Sequence, residues 1–400
     1  MATTINANNT DGVVITPDTS GELELQANGV TKAKVTANGL QDANGNSLRG
    51  GSFRNLIING DMQIAQRGTS SSGYSSGDTY LTLDRWRSNV NTAGTWTMSQ
   101  DTDVPTGQGF ASSMKWDCTT ANASLSASSY FYATQYLEGQ MLQHLKKGTS
   151  SAESVTLSFW VKSNKTGTYT VFLYDVDNTR LISKAYTVDV ADTWEKKTIT
   201  YAGDTTGALG NDNGRSLDVR FMLVAGTDWS SGTLQTSWGA NVTANRAVGQ
   251  VNLADSTSNY INITGVQIEV GEGASDFEFL PYDVQLARCQ RYYEKSYSTN
   301  VVPGTATASG ICYFYVARTT SNGYGWYTNR FAVTKRANAS VTLYSQSGTL
   351  GQVSDADSGT NIGAADVIHN GTGSFLARNI SGGSITARAI GWHFVAVSEL

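Results

Sequence analysis

Residues Ser154 to Val161 read SVTLSFWV, with Val155, Leu157 and Phe159 on alternate positions, and this period of two recurs along most of the chain. Thr168 to Tyr174 (TYTVFLY), Trp194 to Tyr201 and Leu217 to Val224 (LDVRFMLV) repeat it, with Gly, Asn or Asp between the runs. Successive side chains of a strand point to opposite faces, so such runs bury their apolar set when two sheets close on each other. The spacing therefore predicts an all-β chain built around an antiparallel sandwich. Only 15% of the residues are charged, and Thr, Ser, Asn and Gly abound, which suits short strands joined by tight turns.

Four hundred residues exceed what one hydrophobic core usually serves, so the chain is expected to be modular. Residues 1–52 are polar and repetitive. Asn28-Gly29, Asn38-Gly39 and Asn44-Gly45 separate short runs holding Leu23, Leu25, Val30, Ala33 and Val35, which reads as small hairpins with little apolar area of their own. A disordered tail is the alternative. Residues 53–281 carry the sandwich pattern. Within them, Thr134 to Lys147 admits a helix with Tyr136, Met141, Leu142 and Leu145 on one side, although Gly139 counts against it. The stronger helical pattern spans residues 282–297, where Tyr282, Leu286, Cys289, Tyr293 and Tyr297 share a face after Pro281. Alternation returns over residues 298–400, at Ile311 to Ala317, Phe331 to Thr334, Ser340 to Tyr344 and Ser384 to Leu400, and predicts a second, smaller β-domain.

Several classes of function are disfavoured. A net charge of −5 and a pI near 5.3 remove the attraction to phosphates on which nucleic-acid binding depends. Cys118, Cys289 and Cys312 have neither metal-ligand spacing nor an even count, and read as free thiols of a chain folded in a reducing cytoplasm. The start MATTINANNT has neither the basic nor the apolar region of a secretory leader, and no run is long enough to span a membrane. His144, His369 and His393 are far apart. Asp175, Asp177 and Asn178 (DVDN) superficially resemble a calcium loop, but Arg180 stands where the loop needs Gly and no Glu closes it, so neither metal nor cofactor is expected. Sequons at Asn164, Asn241, Asn262 and Asn338 are what chance supplies in an Asn/Thr-rich chain.

Asn55 to Gly68 (NLIINGDMQIAQRG), followed by Leu83 to Trp86 (LDRW), resembles the opening of a domain common in phage tail-fibre and other virion structural proteins. Ile263 to Tyr293 is similar to its closing strand and following helix. Arg330 to Ser345 (RFAVTKRANASVTLYS) and Gly391 to Leu400 (GWHFVAVSEL) resemble the terminal domain of the same proteins, and Ser20 to Leu40 their short virion-attachment repeat. The resemblance implies a jelly-roll domain like a carbohydrate-binding module at residues 53–281, a connecting helix at 282–297, a C-terminal tip domain at 298–400, and a homotrimer. It further implies a tail fibre made in the host cytoplasm, fastened to other virion proteins (a tail hub, adaptor or nozzle) through residues 1–52 and attaching to a host surface glycan. A head fibre or capsid decoration protein without a receptor would share this architecture.

Sugar recognition on such a fold takes exposed aromatic rings beside a few amide, carboxylate or hydroxyl groups. Three clusters offer this: Trp229 and Trp238 in TDWSSGTLQTSW, Tyr74 and Tyr80 in SSSGYSSGDTY, and Tyr324, Trp326 and Tyr327 after Asn322-Gly323. Ordinary packing is the plainer reading of each. Trp160 and Trp194, inside strand runs, are expected in the core. A polysaccharide depolymerase, as on enzymatic tailspikes, needs an acid and a base or nucleophile. The pairs Asp189 with Asp192 and Asp276 with Glu278 sit where turns or surface strands carry charge, and no short-period β-helix repeat appears, so an enzyme is not expected.

Overall fold

The computed structural model describes residues 22–27, 29–36, 39–42, 53–315, 326–379 and 389–400. Three short strands come first: β1 (Leu23–Ala27), β2 (Val30–Thr36) and β3 (Gly39–Asp42), paired antiparallel in that order. Leu25 pairs with Ala33, Leu23 with Val35 and Val35 with Leu40, which gathers the apolar side chains on one face. Leu25, Val30, Val35 and Leu40 are exposed. Residues 1–21 and 43–52 of the expected attachment segment lie outside the described residues.

The sandwich follows. Its first strands are β4 (Ser70–Tyr74), β5 (Gly77–Tyr80), β6 (Arg87–Asn91), β7 (Thr95–Asp101), β8 (Ser113–Thr120) and β9 (Tyr130–Glu138). Then come β10 (Val155–Ser163), β11 (Gly167–Asp175), β12 (Arg180–Val188), β13 (Glu195–Tyr201), β14 (Arg215–Ala225), β15 (Gly239–Ala240) and β16 (Tyr260–Val270). They form a six-stranded sheet, β13-β10-β16-β8-β7-β4, and a seven-stranded one, β15-β12-β11-β14-β9-β6-β5. The chain passes repeatedly from one sheet to the other, the wrapping of a jelly roll. Inward-facing residues close the core: Val155, Leu157, Phe159 and Val161 of β10 meet Val219, Phe221 and Leu223 of β14. Trp96 packs against Phe131 with the rings tilted and their centroids 4.8 Å apart, and Phe159 meets Phe221 edge-on at 5.1 Å. Each such fully buried aromatic side chain contributes roughly 1.5–3 kcal/mol.

Both expected helices are revised. Thr134 to Glu138 belongs to β9, and Gly139–Met141 and Gln143–Leu145 are single 3-10 turns. Gly139 is there because a Cβ would stand 2.0 Å from the Gly210 carbonyl oxygen, so its small size serves close backbone packing. The helix after Pro281 covers Tyr282–Gln290, and Tyr293–Lys295 is instead strand β17, drawn into the second sheet by pairing with a strand a hundred residues away. Cys289 and Tyr292 pack on Ile58 and Ile64 of the sandwich, whereas Tyr282 is exposed.

The C-terminal body adds β18 (Cys312–Tyr315), β19 (Trp326–Arg330), β20 (Ser340–Tyr344), β21 (Gln352–Asp355), β22 (Asn361–Ile368), β23 (Ser374–Asn379) and β24 (Ala389–Val397). β24 is its hub, pairing with β17, β18, β20 and β21. Phe331, Leu343, Phe375, Ile390, Trp392 and Phe394 form its core. The segment Asn55 to Trp86 joins the two bodies. Asn59 Nδ2 donates to the carbonyls of Ile64 and Asp84, Gln66 Nε2 donates to the Tyr293 carbonyl at 2.8 Å, and Arg67 pairs with Glu399 at 2.9 Å. Buried Arg85 pairs with Glu399 and lies over the Tyr292 ring at 3.6 Å. The three cysteines are free.

Candidate functional site

Residues of β10 that face away from the core point to the outside of the six-stranded sheet. Trp160 is one of them. It is half-buried, with Lys196 of β13 opposite on one side and Thr264 of β16 on the other. The expectation that Trp160 belongs to the core is wrong for a simple reason: Val155, Leu157, Phe159 and Val161 hold the inward parity and Trp160 holds the other. Trp194 is likewise outside the core, half-buried, its indole N–H donating to Asp103 at 2.9 Å. Burial pushes the Asp103 carboxyl upward, but hydrogen bonds from Lys162 and Trp194 outweigh it and hold the group below its ordinary value.

Two loops wall Trp160 in. The loop before β8 supplies Gln108 and Phe110, and the loop after β16 supplies Asp276, Phe277 and Phe279, leaving a hollow of about 340 Å³. The three phenylalanines pack mutually, with ring centroids 4.9 to 5.1 Å apart. Phe279 remains 46% exposed, so an apolar ring face is left for an incoming group. Gly265 forms the floor with φ +63°, where the pairing of β10 with β16 slips by one residue. A Cβ there would lie 2.6 Å from Phe110 Cζ and 3.2 Å from Trp160 Cδ1, so the missing side chain leaves the floor of the hollow to these two rings.

The second loop is pinned from below. Buried Glu269 accepts from the Ser275 amide at 2.7 Å and from Gln267 Nε2 at 2.9 Å, while Arg54 donates to Ser275 Oγ at 2.8 Å and to the Asp276 carbonyl at 2.6 Å. Glu278 accepts from the amides of Phe53 and Asn55, at 2.5 and 2.9 Å. Of the Asp276 and Glu278 pair, Asp276 is therefore the carboxylate at the hollow. Lys196 is exposed beside it and makes no ion pair among the described residues. Asp189 pairs with Lys197 at 2.9 Å, and Asp192 accepts from the Tyr260 hydroxyl at 2.5 Å.

The clusters singled out in the sequence lie elsewhere and apart from one another. Tyr74 is buried, its hydroxyl 2.7 Å from the Ser88 carbonyl. Tyr80 is half-buried, with the Arg67 guanidinium 5.1 Å from its ring. Trp229 is buried against Tyr130 at 4.6 Å, on the outer face of the seven-stranded sheet. Trp238 is half-buried and donates to the Ala202 carbonyl at 2.8 Å. Tyr327 is exposed in the C-terminal body and stacks on Phe314 at 5.8 Å. Tyr324 and the Trp326 side chain lie outside the described residues. At the DVDN turn, Asp175 accepts from Lys147 Nζ at 2.5 Å and from the Asn178 amide at 3.0 Å.

No family model and no curated protein matches the chain. Solved structures do match. The enzymatically active domain of tailspike protein 4 of bacteriophage CBA120 is 14% identical over 54% of this chain and 21% of that one, with a TM-score of 0.29. A carbohydrate-binding module in complex with β-1,4-galactotriose is 10% identical over 54% of this chain and 99% of its own, with a TM-score of 0.29. The family 11 carbohydrate-binding module of Clostridium thermocellum, in complex with a mixed-linked tetrasaccharide, is 12% identical over 52% of this chain and 98% of its own, with a TM-score of 0.24. Likenesses this distant leave the ligands named in them as theirs. The jelly-roll sandwich rests on the strand order of this chain itself.

Proposed function

We propose that this protein is a virion fibre of a phage and that its sandwich binds a saccharide of the bacterial surface in the hollow at Trp160. The observation that carries the binding reading is the composition of that hollow. Half-buried Trp160 and exposed Phe279 offer ring faces to the apolar side of a sugar, and Lys196, Asp276 and Gln108 offer hydrogen-bonding groups around the rim. The resemblance of Asn55 to Gly68 and of the C-terminal runs to virion structural proteins supports the fibre role. The apolar face of the β1–β3 sheet, exposed in the single chain, supports association of that segment with other chains, and the resemblance supplies the number three and a tail protein as the partner of residues 1–52. Host attachment without catalysis follows from this reading.

A glycan array of bacterial surface polysaccharides, read with the full chain and with Trp160→Ala, tests it. The wild type retains a defined subset and Trp160→Ala loses that subset at least tenfold with unchanged thermal stability. Retention by the variant at wild-type strength rejects the hollow as the site.

A further inference from the structure

We propose that the outer face of the seven-stranded sheet, across the sandwich from the hollow, is a second binding site that takes a carboxylate-bearing saccharide, with Arg246 as its anion ligand. Arg246 is 8% exposed, and its Nε and Nη2 donate to Asn241 Oδ1 at 3.1 and 2.8 Å. Among the described residues no carboxylate pairs with it. A second guanidinium, that of Arg220, lies over the same two rings: Arg220 is 5.6 Å from Phe172 and 5.0 Å from Tyr174, and Arg246 is 5.7 and 5.5 Å from them. The nearby carboxylate is already shared. Buried Asp218 accepts from Arg220 Nη2 at 2.6 Å and from Arg215 Nε at 2.6 Å.

A buried cation without a counter-charge is costly, and here burial first, then Arg220, pushes the Arg246 guanidinium down to about 10. An incoming carboxylate supplies the missing charge, and it accepts from the guanidinium N–H groups that Asn241 leaves unused, those of Nη1 first. The ligand is a saccharide and not a bare anion because ring faces and polar groups surround the charge. Tyr130 and Tyr174 are half-buried there, Trp229 stands 4.6 Å from Tyr130, and Asn89 Nδ2 donates to the Tyr132 hydroxyl at 2.9 Å. The loop that carries Arg246 is held ready: the Ser183 hydroxyl donates to the Arg246 carbonyl at 2.6 Å, and the Ala247 amide to the Trp229 carbonyl at 3.0 Å.

This inference takes its class of ligand from the glycan reading, but its place is independent of the hollow. The full chain, with Arg246→Gln, Arg246→Lys and Trp160→Ala, is titrated with uronate-containing and sialate-containing bacterial polysaccharides, their carboxyl-reduced neutral forms, and acetate. The wild type binds at least one acidic polysaccharide tenfold or more tightly than its reduced form; Arg246→Gln abolishes that preference, Arg246→Lys retains part of it, and Trp160→Ala keeps it. Equal binding of acidic and reduced forms overturns the inference while leaving the glycan reading standing, as does a preference that survives Arg246→Gln in a variant of unchanged melting temperature. Acetate binding as tightly as the polysaccharides overturns the saccharide assignment. Failure of every polysaccharide, acidic or neutral, overturns the glycan reading with it.

Discussion

At the scale of single residues, Gly265 controls the hollow. Its φ of +63° lies where L side chains are strained, and the space a Cβ would need is filled by Phe110 and Trp160. Gly265→Ala is expected to lower stability by about 1–3 kcal/mol in denaturant titration, and to weaken glycan binding by displacing Phe110. Trp160 was legible in the sequence, since SVTLSFWV puts it on the opposite parity from Val155, Leu157 and Phe159, and treating the whole run as core concealed it. Phe277 and Phe279 in DFEF share a parity in the same way. Phe110 carried no such signal. It lies in an irregular loop, and what brings it to Trp160 is a slipped register and a glycine between strands that are distant in sequence.

The elements show where local pattern yields to tertiary pairing. Tyr282 to Tyr297 has helical spacing throughout, yet the helix stops at Gln290 and Tyr293–Lys295 is β17, because the ladder to β24 pairs backbone groups there with the second body. The joint this creates buries charge. Burial raises Asp84 to about 6, with Arg67 and Gln66 pulling it back only in part. A carboxyl raised in the folded state binds a proton there that the unfolded chain has already lost, so its contribution to stability falls as pH rises from about 4 to about 6. The expected loss is on the order of 3 kcal/mol across that window. Urea midpoints measured across this range should show the decline, and Asp84→Asn should flatten it; an identical slope in the variant would remove Asp84 as its cause. The Lys295 ammonium is lowered to about 8 by burial, and acts in a separate window between there and its ordinary value, where stability rises with pH.

At the scale of the molecule, the strand order makes a sandwich that is complete in one chain, whereas the β1–β3 sheet is not. Leu25, Val30, Val35 and Leu40 stay exposed on a three-stranded sheet that has no second layer among the described residues. Light scattering on the full chain should give the mass of three chains, and Leu25→Asp with Val35→Asp should lower it without changing the melting of the sandwich; a monomeric wild type at micromolar concentration contradicts the assembly. The all-β class and the order of modules were legible because alternation and turn residues are local properties. The site was less so, since Tyr74 and Trp229 of the loop clusters are buried against neighbouring side chains, and the hollow is assembled from loops and strands scattered between Gly107 and Phe279. Three copies would matter for function as well, because linked weak sites gain roughly 10²- to 10⁴-fold in avidity where geometry permits joint engagement.

Sugar binding in the hollow is the claim on which the rest depends, and the indole N–H resonances of the nine tryptophans report on it directly. Titrating the labelled protein with oligosaccharides released from the bacterial surface should shift the Trp160 resonance in a saturable way while those of buried Trp86, Trp96 and Trp116 stay fixed. Saturable binding that leaves Trp160 unmoved would contradict the account.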